Sequence, residues 1–236
     1  MTNRRQSYEG VAVAVPATVP YVRYSTRGAH WFIGQAVKRL LEGSGLQKEQ
    51  IDGLTVSSFS LTPDTAVGVT QHLGLSPRWL DHIPTGGASG VMALRRAARA
   101  VQAADADIVA CVAADTNHVD SFRLMLGGFS EFARDATYPY GSGGPNALFA
   151  FITSAYMART GATRADFGKV CVDQRTNALA YGSRVFKKPL ALDEYLAARP
   201  IAEPIHLFDC VMPCAGAEAF LVMSEARAKD LGLAYA

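Results

Sequence analysis

The stretch most able to do chemistry is a run of small residues at positions 85–94, Thr-Gly-Gly-Ala-Ser-Gly-Val-Met-Ala-Leu. Its turn, residues 86–90, opens directly into an Ala-rich segment that predicts a helix over 91–104. A helix start of this kind points backbone N–H groups and the positive end of the helix dipole at whatever lies in front of it. The pattern therefore favours a binding site for an anion or another electron-rich oxygen.

Four side chains are candidates for a role in such chemistry. The Ser89 hydroxyl either caps and packs the helix start or contacts the bound anion or thioester. His118 follows an apolar strand, at the sheet edge where open α/β proteins bind ligands. It is either an acid/base or substrate contact, since imidazoles titrate near neutral pH, or a loop residue at a dimer surface. Tyr138 and Tyr140 flank Pro139, and their phenols either take part in acid/base chemistry or pack beneath a loop.

The elements that must position these residues follow from the apolar periodicity. Short apolar runs predict strands, and 3.6-residue patterns ended by glycine predict helices. The predicted strands are 10–16, 51–59, 79–83, 108–114 and 217–224, and the predicted helices are 31–42, 65–73, 91–104, 147–159 and 164–180. Wholly apolar strands alternating with helices indicate an α/β fold with a parallel or mixed sheet covered on both faces. Residues 115 to about 203 are expected to be mostly irregular, and an insertion of that length usually covers a site.

Composition excludes several classes of function. The 236 residues are 49% apolar and carry a net charge of +2, and the basic residues are scattered without interleaved aromatics, so no nucleic-acid partner is expected. The polar residues 1–9 lack a signal-peptide core, and no apolar run is long enough to span a membrane, which favours a cytoplasmic protein. Cys210 and Cys214 have no second ligand pair, so no metal site is predicted, and nothing indicates a redox cofactor.

Several segments in order resemble the thiolase superfamily, in particular thiolases related to sterol-carrier-protein fusions. They are Leu-Gln-Lys-Glu-Gln-Ile-Asp-Gly-Leu at 46–54, Gly-Ala-Ser-Gly-Val-Met-Ala-Leu at 87–94, the stretch 156–170 with 173–178, and the segments 188–196 and 200–210. The resemblance covers essentially the whole chain. It implies a thiolase-like βαβαβ mixed five-stranded sheet sandwiched by helices, with an inserted loop domain. The implied domains are an N-terminal core over 1–117, the loop domain over 118–203, and the last core strand within 204–236.

The resemblance also implies a C-terminal thiolase half that this sequence does not contain. A fragment or processed chain, a separate polypeptide for the second half, and a short gene are the alternatives. In the family the stretch at 87–90 reads Cys-x-Ser-Gly, and its Cys carries the acyl group. Here Gly87 holds that position, which is therefore a vacant nucleophile position. The later Cys-Ala-Gly at 214–216 only mimics a family motif.

The missing thiol implies a change of reaction. Some thiolase-like proteins without this Cys are retro-aldolases that act on acyl-CoA intermediates of steroid side chains, together with a small OB-fold partner. The expected function is aldol-type cleavage of a C–C bond in a coenzyme A thioester. Acetyl-CoA acetyltransferase activity by family name and a non-catalytic acyl-CoA-binding or structural subunit are the alternatives.

The resemblance further implies ligand contacts and an assembly. Coenzyme A thioester is the expected substrate, with no bound cofactor. The loop domain, including Tyr138 and Tyr140, is expected to cover the pantetheine arm, and Arg184 and Lys187 either meet the phosphates of coenzyme A or form a solvated basic turn. A homodimer or a hetero-oligomer is expected, with an OB-fold protein or a separate second thiolase half as possible partners.

Overall fold

The structure is a computed structural model that describes residues 7–127, 131–142, 144–182 and 184–236. Most of the polar N-terminal stretch discussed above therefore lies outside the described residues. The chain divides into two compact units. The sheet unit comprises the described residues up to Thr116 together with Cys214–Ala236, and the inserted unit is Asn117–Pro213. The chain thus returns to the sheet unit only at Cys214, whereas the resemblance suggested a return near residue 204.

The elements follow one another along the chain as strands and helices of uneven length. The strands are β1 Val11–Val22, β2 Gly53–Ser57, β3 Trp79–His82, β4 Ile108–Thr116, β5 Pro200–Ala202, β6 Ile205–His206 and β7 Ala215–Ser224. The helices are α1 Ala29–Ser44, α2 Ala66–Leu73, α3 Ser89–Gln102, α4 Val119–Gly127, α5 Glu131–Ala136, α6 Gly144–Thr160, α7 Arg164–Ala180, α8 Leu192–Leu196 and α9 Glu225–Asp230. None of the helices described has both the length and the apolar character needed to traverse a bilayer.

The sheet unit contains a mixed five-stranded sheet in the order β1-β7-β4-β2-β3. β2 runs parallel to both β3 and β4, and β7 runs antiparallel to β4 and β1. Buried residues of α1 and α2 pack on one face, and alanines of α3 pack on the other face against Val109, Cys111 and Val222. The predicted mixed five-stranded α/β sheet between helices is therefore confirmed.

Strand β1 is longer than the predicted 10–16, because it continues through Pro16 and Pro20. Proline lacks the N–H that a central strand needs, so the prediction stopped the strand at Pro16. β1 lies at the edge of the sheet, where a missing donor on the outer side is tolerated. The register also shifts between Ala14 and Ala17, where Val15 has a φ of +53°, which marks a bulge.

The inserted unit is more helical than expected. Helices α6 and α7 match the two that the periodicity predicted, and Thr163 and Asp166 cap the start of α7 reciprocally. The expectation of mostly irregular chain over residues 115–203 is wrong, since α4, α5 and α8 lie there as well. These helices have five to nine residues, too short to show a clear apolar period.

A polar cluster around the buried Tyr195 and His206 ties α8 to the β5–β6 hairpin within the inserted unit. The Tyr195 hydroxyl donates to a carboxylate oxygen of Asp209, and the backbone N–H of His206 donates to the other oxygen at 2.8 Å. The His206 ring lies 2.6 Å from the Ala198 carbonyl oxygen through Nδ1 and 3.1 Å from a Glu203 carboxylate oxygen through Nε2. Burial and the Asp209 carboxylate raise the pKa of the Tyr195 phenol, which therefore stays a donor at neutral pH. The cluster is accounted for by folding of this unit.

Candidate functional site

The carboxyl ends of three parallel strands meet at one edge of the sheet unit. β2 ends at Ser57, β3 at His82 and β4 at Thr116, and the chain passes from β3 into the turn that precedes α3. Open α/β sheets bind ligands at this edge, because the loops that leave the strands there surround a common crevice. The turn 86–90 predicted from sequence thus lies where a ligand is expected.

The turn is built by small residues and by internal hydrogen bonds. Gly86 has a φ of +62°, a conformation that side chains strongly disfavour, and residues 86–88 form a single 3₁₀ turn. The Ser89 hydroxyl donates to the Ile83 carbonyl oxygen at 3.0 Å and lies 3.3 Å from the Thr85 hydroxyl. Ser89 is 4% exposed. The hydroxyl closes the turn onto the end of β3. This favours a role in packing the helix start over contact with a ligand.

Gly87 lies exposed at the front of this turn. A Cβ placed on it would have no heavy atom of the sheet unit's described residues within 4 Å. Neither the 3₁₀ turn nor α3 carries a side-chain cap, and the first turn of each holds no acidic residue. Among the described residues of the sheet unit, no side chain therefore caps the helix start or lies within 4 Å of a Cβ on Gly87. An oxyanion placed there faces the positive end of the α3 dipole. The N–H groups of Ala88 and Ser89 donate within the turn, to the carbonyl oxygens of Thr85 and Gly86.

A single carboxylate organises the loop after β2 at the same edge. Asp115, near the end of β4, accepts through Oδ1 from the Ser58 hydroxyl at 3.0 Å, the Phe59 N–H at 2.7 Å, and the N–H and hydroxyl of Ser60 at 2.9 and 2.8 Å. The Ser60 hydroxyl in turn accepts from the Thr116 N–H at 2.8 Å. The sequence analysis missed Asp115 and Phe59. Asp115 lies at the carboxyl end of β4, and Phe59 lies two residues after the carboxyl end of β2.

Cys214 stands immediately before β7 and is the cysteine of this edge. Burial raises the pKa of its thiol, the Asp115 carboxylate raises it further, and Arg23 opposes both effects. A thiol with a raised pKa is protonated at neutral pH and is a poor nucleophile. This agrees with the interpretation of the Cys-Ala-Gly stretch as a mimic of the family motif.

His118 belongs to the inserted unit and stands directly before α4. Its backbone N–H donates to the Ser121 hydroxyl oxygen at 3.0 Å. Its carbonyl oxygen accepts from the same hydroxyl and from the Phe122 N–H. The backbone of His118 therefore starts α4. A role for its imidazole in acid/base chemistry stays a prediction.

The predicted contacts to coenzyme A also lie in the inserted unit. Tyr138 donates to the carbonyl oxygens of Leu126 and Gly127 at 3.3 Å, whereas Tyr140 is among the most exposed aromatic side chains described. Arg184 donates to the Tyr181 carbonyl oxygen at 3.1 Å, and Lys187 is exposed. The hydrogen bonds of Tyr138 and Arg184 thus go to the backbone, and the four residues remain predictions as ligand contacts.

A groove of about 500 Å³ lies within the inserted unit, beside α6, α7 and the β5–β6 hairpin. Its apolar walls include Phe149, Phe167 and Phe208, and its polar lining includes Asn146 and Gln174. The described residues that line it include none of the predicted coenzyme A contacts. Over the described ranges, no three His, Cys, Asp or Glu side chains are grouped closely enough to hold a metal ion.

Comparison with known proteins gives relatives over nearly the whole chain, although no protein-family model matches it. Over 235 residues the chain is 32% identical to the 17-hydroxy-3-oxo-4-pregnene-20-carboxyl-CoA lyase of Mycobacterium tuberculosis, a match that covers 95% of this chain and 60% of that protein. The solved structure of the Ltp2-ChsH2(DUF35) aldolase superposes with a TM-score of 0.81 at 26% identity, over 95% of this chain and 58% of that chain.

A third likeness concerns the fold alone. Human mitochondrial 3-ketoacyl-CoA thiolase, solved in complex with CoA, superposes with a TM-score of 0.71 at 15% identity, over 97% of this chain and 68% of that chain. The chain spans about 60% of the length of the lyase and of the aldolase.

Proposed function

We propose that this chain is a member of the thiolase superfamily, since CoA lyases and aldolases are among its homologues, and that it serves aldol-type cleavage of an acyl-CoA thioester in steroid or lipid side-chain breakdown. The names of its relatives support this reaction class. The chain spans about 60% of the relatives' length, and the activity of the whole protein is therefore our proposal.

The observation that carries the proposal is the open turn at Gly87. We assign Gly87 to the position that the acyl-carrying Cys occupies in acyl-transferring thiolases. A glycine there supplies no nucleophile, and the Cys214 thiol of the same edge has a raised pKa. Acyl transfer, the alternative suggested by family names, requires a thiolate and is therefore disfavoured. A site with backbone N–H groups and no thiol suits a reaction whose intermediate is an oxyanion without an acyl-enzyme.

The proposed reaction is a retro-aldol cleavage of a β-hydroxyacyl-CoA. A general base takes the proton of the β-hydroxyl group, the oxygen electrons form a C=O bond, and the bond between Cα and Cβ breaks. Its electron pair moves to Cα and gives a thioester enolate, whose oxygen lies at the turn 86–90. Protonation of Cα then releases a shortened acyl-CoA beside a ketone. His118 is our candidate for the base, and Ser89 holds the turn.

We propose that the activity requires a partner. One homologous structure is named as a complex with a DUF35 protein, which supports a hetero-oligomer with a protein of that type. Val91, in the first turn of α3, is 66% exposed, and an apolar side chain on the helix behind the turn suits a covered surface. A second polypeptide that supplies the remaining thiolase half, or a homodimer, is the alternative assembly. Tyr138, Tyr140, Arg184 and Lys187 are proposed contacts to coenzyme A in the inserted unit.

The first test is cleavage of a β-hydroxyacyl-CoA that carries a tertiary hydroxyl on a steroid side chain. The full chain is assayed alone and with a co-expressed DUF35-type protein, and mass spectrometry follows the ketone and the shortened acyl-CoA. The expected result is equal formation of both products, with the larger rate in the complex. Saturable thioester binding without either product would overturn the catalytic proposal and favour the non-catalytic subunit.

A second test concerns the assignment of Gly87. In Gly87→Cys the new thiol stands at a helix start in open space, so we expect it to attack an acyl-CoA thioester, release coenzyme A and gain the mass of the acyl group. Ala88→Cys, one exposed position further along, is the matched control and should acylate more slowly. Equal acylation of the two variants would contradict the assignment.

A further inference from the structure

The side chain of Phe59 occupies an unusual place at the candidate site. It is 46% exposed, yet its backbone N–H is held at 2.7 Å by the Asp115 carboxylate. Its neighbours Ser58 and Ser60 are bonded to the same oxygen, so the loop that carries the ring is fixed on both sides. An exposed aromatic ring on a clamped loop is a fixed surface feature.

The tip of this ring lies against the turn. A Cβ placed on Gly86 would stand 3.4 Å from the Phe59 Cζ, whereas the space beyond Gly87 is open. The ring therefore bounds one side of the region in front of the helix start, and the other side is unobstructed within the sheet unit. Gly86 itself is needed for the positive φ of the turn.

We propose that Phe59 is the wall that limits the bulk of a group approaching Gly87, and that Asp115 is the residue that positions this wall. The proposal deepens the proposed function by naming what discriminates among acyl-CoA thioesters, and in that respect it rests on the proposed function. Thioesters whose bulky groups lie away from the ring fit beside it, and those with a bulky group on the side of the ring are excluded. The wall itself is a property of the turn and is measurable without any substrate.

The test uses a thiol reporter at the open position. Gly87→Cys is treated with N-ethylmaleimide and with N-(1-pyrenyl)maleimide, which share one reaction, addition of the thiolate to the C=C bond with proton uptake at carbon. Modification is followed at the peptide that contains residue 87, which separates the reporter from the four native cysteines. In Gly87→Cys/Phe59→Ala we expect the ratio of pyrenyl to ethyl rates to rise about tenfold, since steric differences of a few methylene groups give effects of this order. An unchanged ratio would overturn the proposal that Phe59 limits the bulk of a group approaching Gly87.

The role of Asp115 is separated from simple loss of stability by further variants of the reporter. In Asp115→Ala the loop loses its acceptor, so the ratio should rise toward the value seen in Phe59→Ala. Asp115→Asn keeps an oxygen acceptor and should restore most of the original ratio. Asp115→Ala combined with Phe59→Ala should give no further increase, because the ring is already gone. Equal acceleration of both reagents by Asp115→Ala would contradict a positioning role.

Asp52→Ala is the matched control, since Asp52 binds backbone N–H groups at the opposite edge of the same strands. It should leave the ratio unchanged although it lowers stability. A parallel measurement of acyl-CoA binding by Phe59→Ala and the natural chain distinguishes the two proposals. If the ratio of the two maleimide rates rises in the Phe59→Ala reporter while no acyl-CoA binds, the proposed function is refuted and the role of Phe59 as a wall is retained. A ratio that fails to respond refutes the wall whatever the chain binds.

Discussion

Asp52 and Asp115 stand at opposite ends of the parallel strands β2 and β4. Each carboxylate lies at the end of one of these strands and accepts hydrogen bonds from residues at the same end of the other. Asp52 precedes β2 and accepts from the N–H groups of Asp107 and Ile108 at 2.9 and 2.8 Å, where β4 begins. Asp115 lies near the end of β4 and accepts from the loop that follows β2. The two edges are therefore built on the same reciprocal plan.

The two carboxylates differ in what surrounds them. Arg78 donates to Asp52 at 2.7 Å. Burial acts to raise the pKa of Asp52, but the N–H groups of Ile108 and Asp107 and the Arg78 guanidinium together lower it below its usual value. The donors to Asp115 are neutral N–H and hydroxyl groups, and no cation in the described residues lies within 4 Å of it. An ion pair closes the amino edge, whereas hydrogen bonds at the carboxyl edge orient a loop beside an open turn.

The largest effect is expected at the amino edge. Asp52→Ala removes an acceptor of two backbone N–H groups and of the Arg78 guanidinium, so we expect a loss of about 3 kcal/mol in the free energy of unfolding. Urea denaturation measures it. Asp107→Ala is the control, because its carboxylate is 77% exposed and 3.3 Å from Arg78, and its loss should stay below about 0.5 kcal/mol. Equal losses for the two variants would remove the distinction between the edges.

A smaller loss of stability is expected for the carboxylate at the carboxyl edge. Asp115→Ala leaves four donors without their acceptor, but the loop lies nearer to solvent, so water replaces part of the bonding. We expect a loss of about 2 kcal/mol, and less for Asp115→Asn, which keeps an oxygen. The same denaturation experiment ranks the two aspartates, and a larger loss for Asp115→Ala than for Asp52→Ala would reverse the ranking.

Two glycines extend the comparison to packing. A Cβ on Gly53, the first residue of β2, would stand 2.7 Å from the Val109 Cγ2, whereas a Cβ on Gly87 meets nothing within the sheet unit. Gly53→Ala should therefore cost about 1.5 kcal/mol through overpacking. Gly87→Ala should change stability by less than about 0.5 kcal/mol. Thermal and urea unfolding of this pair test whether the turn is as open as its surroundings indicate.

The sheet was predictable from sequence because its central strands are mostly apolar. Strands β2, β4 and β7 have buried residues on both faces, so their sequences are rich in consecutive apolar residues, with only a few polar residues such as Thr55 and Glu218. Strand β1 was predicted too short, since the tolerance of an edge strand for Pro16 and Pro20 depends on its neighbours. The short helices of the inserted unit were missed for a related reason. α4, for example, has only nine residues, and none of them is buried.

In the same way, only part of the candidate site was predictable from sequence. Small residues alone predicted the turn at 86–90, and Ser89 and Gly87 both lie there. Asp115 and its partner Ser58 are 57 positions apart, and only the parallel pairing of β2 with β4 brings them together. The available signal was positional, since polar residues that follow buried parallel strands gather at one edge. Phe59 carried no signal of its own, because its contact with the turn depends on the loop that Asp115 fixes.

A further prediction concerns the hydroxyl that closes the turn. Ser89→Ala removes its hydrogen bond to the Ile83 carbonyl oxygen in a buried place, and we expect a loss of about 1 kcal/mol in the free energy of unfolding. Acyl-CoA binding, measured by calorimetry, should change by less than about twofold, since the hydroxyl is used within the protein. Thr70→Ala, which loses a buried hydroxyl bonded to the Val67 carbonyl oxygen, is the control for hydroxyl removal. A loss of binding without a loss of stability would instead assign Ser89 to the ligand.

The smallest expected effect is the pH dependence that the amino edge contributes. The pKa of Asp52 is lower in the folded chain than its usual value, so its carboxylate adds stability above the unfolded pKa, near 4, and that contribution is lost as pH falls through the folded pKa. Asp52→Asn cannot titrate. The difference in unfolding free energy between the natural chain and this variant should therefore be full at pH 6 and shrink by pH 3. Urea denaturation at both values measures it. A difference that stays constant would mean that Asp52 acts through its shape and acceptor oxygens, as Asp115 does with neutral donors, and the ion pair with Arg78 would then not distinguish the two edges.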